Sequence, residues 1–130
     1  MRTATFTLLG TPSSSNSTGG HHWAALRSAK GRQWEWQDRA AIAIAQARKA
    51  GAWDGLPFER AEIEASIWVP DRRRRDLDGM VFGLKGAIDR LHPAVFPDDD
   101  WQHVPSLSLR VVGVDRARPR VEIEVRELPM

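Results

Sequence analysis

Apolar and polar residues alternate in four places along the chain, the pattern of strands with one buried face. Within 3–9, Ala4, Phe6 and Leu8 point one way and threonines the other. From Arg60 to Val69 the alternation is longest, with Ala61, Ile63, Ala65, Ile67 and Val69 opposed to Glu62, Glu64, Ser66 and Trp68. Leu107, Leu109 and Val111 alternate with Ser108 and Arg110, and Val121-Glu-Ile-Glu-Val125 closes the series. Gly and Pro turn signals over 113–119 predict that the last two strands form an antiparallel hairpin.

Two stretches carry helical spacing instead. Residues 34–50 are rich in alanine and other good helix formers, with Arg48 and Lys49 late and Gly51 as a stop, predicting a first helix. After Pro70 ends the long strand, Met80, Leu84, Ala87, Ile88 and Leu91 repeat at the helical period until Pro93, with Asp78 as the expected N-cap. At about 100° per residue, Lys85 falls roughly 20° short of two turns from Asp78, so the two share one flank of the apolar stripe. Asp89 extends that polar line. The order β-α-β-α-β-β predicts an α+β fold, a four-stranded mixed sheet with two helices.

A chain of 130 residues, 42% of them hydrophobic, suits one domain spanning 1–130. Gly10 to Gly20 has almost nothing to bury, and residues 10–22 are expected to be a mobile loop. The adjacent His21 and His22 point their rings apart, which fits surface or nucleic-acid contact better than metal ligation. With no cysteine, disulfides, zinc–thiolate sites and cysteine nucleophiles are excluded. Met1 to Leu9 does not read as a signal peptide and no window is apolar enough for a membrane span, so a soluble cytoplasmic protein is expected.

The net charge of +2 is small, but the charges are clustered. Basic residues gather at Arg72–Arg75 and again at Arg110, Arg116, Arg118 and Arg120, and acids at Asp98, Asp99 and Asp100. Pro70 to Asp78 reads Pro-Asp-Arg-Arg-Arg-Arg-Asp-Leu-Asp, so Arg72, Arg73, Arg74 and Arg75 abut Asp76 and Asp78. Arginines neutralise phosphates, whereas carboxylates repel them unless a divalent cation lies between. If Asp98–Asp100 fold back onto Asp76 and Asp78, the oxygen ligands suit magnesium or manganese. Lys85 would then supply positive charge to the transition state or the leaving oxygen, or help orient the attacking water. Alone, an Asp-x-Asp is commonly a cap, an Asp run a solvated turn and an Arg run a surface.

Together with Lys85 and Asp89 on the following helix and Pro97-Asp-Asp-Asp100 beyond it, the 70–78 block resembles the RusA family of Holliday-junction resolvases. Pro12-Ser13, Asn16 and His22-Trp23 are similar to the family's N-terminal pattern more weakly. The resemblance implies a homodimeric, magnesium-dependent endonuclease of bacteria and phages, acting in DNA recombination and repair, that nicks opposite strands of a four-way DNA junction. It implies metal-binding roles for Asp76, Asp78 and Asp99 with Asp98 beside them, an essential Lys85, and Asp100 as the less favoured substitute for Asp99. The chain departs from the family in Gly79, where asparagine is usual, and in a longer Asp78–Lys85 spacing. A nuclease of forks or flaps, a branched-DNA-binding protein without catalysis and a plain interaction domain are the rival readings.

Overall fold

Beta-forming alternation and helical periodicity give β1 (Thr3–Leu9), α1 (His22–Ala50), β2 (Ala61–Val69), α2 (Leu77–Leu91), β3 (Ser106–Val114) and β4 (Arg120–Glu127). The structure is a computed structural model that describes residues 1–12 and 22–130, with side chains described for 1–12 and 34–130. Most of the 10–22 segment expected to be a loop, with Ser13, Asn16 and His21, lies outside the described residues, as do the side chains of His22 and Trp23.

The strands form one mixed sheet in the order β1-β4-β2-β3. β4 is antiparallel to both β1 and β2, whereas β3 runs parallel to β2 at the edge. The α+β class and element order therefore hold, but the predicted β3–β4 hairpin does not form. Val121, Ile123 and Val125 are fully buried, and a strand so buried gains most between two neighbours. β3 exposes Leu107, Val111, Val112 and Val114 and takes the edge instead. Its parallel pairing needs a crossover, and α2 provides it.

α1 starts at His22, twelve residues before the expected start at 34. Its first part, rich in Ala, Leu, Arg and Lys, has the propensity for helix, and propagation from the strongly helical 34–50 costs little once a nucleus exists. At its end Gly51 takes φ +78, a left-handed conformation that glycine adopts without strain, and the Ala52 N–H donates to the Ala47 carbonyl at 2.9 Å.

One sheet face carries the core. Phe6, Leu8, Ile63 and Ile67 meet Trp36, Ala40, Ala43 and Ala47 of α1 and Leu84, Ala87 and Leu91 of α2, all buried. The alanines at three- and four-residue spacing allow α1 close approach. The opposite sheet face is a lattice of ion pairs. Arg126 reaches Glu62 at 2.8 Å and Glu64 at 3.2 Å and also pairs with Glu124. Those carboxylates raise its already high pKa, the Glu62 hydrogen bond most.

Candidate active site and nucleic-acid interface

Both segments expected to carry chemistry flank α2. Before it, Pro70 ends β2 and the chain turns around Asp71, whose Oδ1 accepts the Arg73 N–H and Arg75 Nη2, each at 2.9 Å. Arg75 Nη1 also donates to the carbonyls of Asp71 at 3.1 Å and Arg73 at 3.0 Å. The Arg73 N–H first, and the Arg75 hydrogen bond next, hold the Asp71 carboxyl below the usual carboxylate range. Arg75 is therefore half-buried and folded back on its own loop, while Arg72, Arg73 and Arg74 are exposed.

The helix begins two residues earlier than its sequence suggested. Asp76, not Asp78, is the N-cap, in extended conformation, and its carbonyl accepts the Met80 N–H at 3.2 Å. Two aspartates two residues apart are equally good caps, so local sequence alone does not choose between them. Asp78 lies in the first helical turn, where the helix dipole favours a carboxylate, and its Oδ1 accepts the Gly79 N–H at 3.0 Å.

From there the helical period sets the geometry. Asp78, Lys85 and Asp89 all line one cavity of about 900 Å³, and Asp99, from the turn beyond α2, lines it too. The remaining wall is mostly apolar, with Leu77, Val81, Phe82, Trp101 and Leu107 prominent. Asp76 and Asp98 are not among the lining residues. Two separated segments of the expected site thus share a cavity, while two of its carboxylates stand outside.

The turn after α2 has its own internal order. Asp98 Oδ1 accepts the Asp99 N–H at 2.8 Å. Asp100 Oδ1 accepts the N–H groups of Gln102 and His103, each at 3.0 Å, and contacts His103 Nδ1 at 2.8 Å. Through the His103 side chain above all, these bonds hold the Asp100 carboxyl below its ordinary range. Asp100 closes the turn and leaves Asp99 on the cavity.

Among the described residues no group of three or more His, Cys, Asp or Glu is disposed to hold a metal ion. The donors present are nevertheless all oxygen, with Asp78 and Asp99 both lining the cavity. That set fits magnesium, which binds through one or two carboxylates and completes its shell with water and substrate oxygens, and does not fit a closed protein cage.

Over 70 residues the chain is 41% identical to the crossover junction endodeoxyribonuclease rusA of Enterobacteria phage HK97. This match supports assignment to the RusA family. The overlap is 53% of each sequence, so the chain spans about half the length of the curated relative it matches. No protein-family model matches it.

Two members of the second basic group of the sequence, Arg110 and Arg120, serve the sheet and not the cavity. Arg120 pairs with Asp115 at 2.8 Å and Glu122 at 2.7 Å and stacks over Trp68, and Arg110 lies 3.3 Å from Glu64. Sequence reasoning missed the apolar cavity wall, above all Trp101 and Phe82. Phe82 had a signal, since it sits four residues from Asp78 and three from Lys85 on the helix. No helix is long and apolar enough to cross a membrane among the described residues.

Proposed function

We propose that this protein is a structure-selective endodeoxyribonuclease that hydrolyses phosphodiester bonds of four-way DNA junctions in recombination and repair. The observation that carries the reading is the convergence of Asp78, Lys85 and Asp99 on one cavity at the end of an arginine-bearing loop. The similarity to a phage crossover junction endodeoxyribonuclease supports it.

Asp78 and Asp99, which line the cavity, are the residues that would hold magnesium or manganese, which when bound supplies Lewis acidity toward the scissile phosphate, while Asp76 and Asp98 lie outside that lining. Arg72, Arg73 and Arg74 neutralise backbone phosphates as the strand approaches, and Arg75 shapes their loop as well as adding charge. Lys85 places an ammonium where negative charge builds during hydrolysis. Carboxylates on the cavity wall keep the unassisted site hostile to phosphate, which makes the reaction depend on the cation. Two symmetric nicks need two such sites, so the working form is a homodimer, in the cytoplasm of a bacterial or phage-infected cell.

The deciding experiment incubates labelled four-way junction, fork, flap and linear duplex with and without magnesium. Paired nicks on the junction, lost without the metal, are expected. Preferential cutting of forks or flaps would replace the substrate, and junction binding without metal-dependent nicking would leave a DNA-binding protein.

A further inference from the structure

The proposed hydrolysis does not account for the cavity's aromatic side. Trp101 is 76% exposed, although a free indole in water normally finds cover within the fold. Its display is built in. The Gln102 and His103 N–H groups donating to Asp100 Oδ1, with the Val104 N–H donating to the Asp100 carbonyl at 2.8 Å, fix the turn on both sides of Trp101. Phe82 and Leu107 present further apolar surface to the same space, with Lys85 on its rim. At about 900 Å³ the cavity is of the size that encloses a small ligand such as a nucleotide.

Resting on the function proposed above, we infer that this cavity receives an unstacked base of the strand to be cut, with the Trp101 indole as its stacking platform. Three features select a nucleic-acid base over other apolar occupants. An aromatic face suits every base without regard to sequence. Lys85 and the exposed Arg72, Arg73 and Arg74 on the loop leading into α2 provide the charge complement of the attached backbone. Asp99 stands two residues from Trp101 and lines the same cavity, so a base held there brings the adjoining phosphate toward Asp99.

Structure selectivity follows from the same stacking. A base inside continuous duplex must give up pairing and stacking to enter, whereas a branch-point base has less to lose. The cavity thus penalises linear duplex without reading any sequence.

The test measures binding with calcium in place of magnesium, a hard cation that the same oxygens can hold, for wild type, Trp101→Ala and Trp101→Phe, on a four-way junction and on junctions with abasic sites placed in turn at the branch-point nucleotides. Trp101→Ala should weaken binding about 5- to 100-fold and Trp101→Phe far less. On the junction whose critical base is missing, wild type should bind weakly and Trp101→Ala should cost nothing more. Equal affinity of Trp101→Ala and wild type, or the same loss on every abasic junction, would overturn the inference and leave the nuclease reading intact. So would a change in sedimenting mass with affinity unchanged, which would make Trp101 a protein contact. Wild type that binds no branched DNA would sink both readings.

Discussion

The loops at the two ends of α2 look alike in sequence and are built alike, yet they present different things to solvent. Each contains a run of like charge, and in each one aspartate is spent on the turn itself. Asp71 ties Arg73 and Arg75 before the helix, and Asp100 ties Gln102 and His103 after it. What remains differs. The first loop leaves three exposed arginines, and the second leaves Asp99 and Trp101 on the cavity. A charge run is therefore a division of labour: the residue that closes the turn fixes where its neighbours point.

The sharpest way to break this comparison is to alter adjacent aspartates in the second loop. Asp99→Asn should reduce junction nicking about a thousandfold or more, the loss of several kcal/mol of transition-state stabilisation, with binding and melting temperature almost unchanged. Asp100→Asn should instead lower the melting temperature by a few degrees and nicking only in proportion to the loosened turn. If Asp100→Asn proves as dead as Asp99→Asn without any change in melting, the assignment of Asp100 to the turn is wrong.

In the first loop the division is read through salt. Arg72→Ala with Arg74→Ala should weaken junction binding and lower the slope of log K against log salt by roughly 1.8, about 0.9 for each phosphate no longer neutralised. Arg75→Ala, which removes a guanidinium already hydrogen-bonded to Asp71, should change the slope less and the thermal stability more. Equal slope changes for Arg74→Ala and Arg75→Ala would show that Arg75 leaves its loop when DNA binds.

Period explains why so much of this was legible. Alternation located all four strands, since each buries one face, and the helical period placed Asp78, Lys85 and Asp89 on a common flank because 3.6 residues per turn needs no tertiary information. The hairpin expectation failed because adjacency in sequence says nothing about which strand deserves the centre of a sheet. Burial decided that, and Ile123 outweighs anything in β3. The helix start moved from Asp78 to Asp76 because both residues satisfy the same capping chemistry. Trp101 was illegible for another reason. The chain has six tryptophans, and no local pattern separates this exposed one from Trp53, which packs edge-on against Phe6 in the core.

The smallest expected effect isolates Asp71, where the turn is held partly by charge. Its carboxyl titrates below the ordinary aspartate value in the folded chain, because the Arg73 N–H and then Arg75 favour the ionised form. A group depressed in this way contributes stability that is complete above its unfolded pKa and is lost as the pH falls through the lower folded value. Wild type should therefore melt slightly above Asp71→Asn at neutral pH, by a margin that solvent screening of the exposed Asp71 carboxylate keeps small. The margin should hold down to about pH 4 and close below it. Asparagine can still accept the Arg73 N–H, so only the charged part of the turn is removed. A margin that persists undiminished at about pH 2.5, well below the ordinary aspartate value, would mean that shape and not charge closes this loop. The likeness between the two ends of α2 would then rest on hydrogen bonds alone.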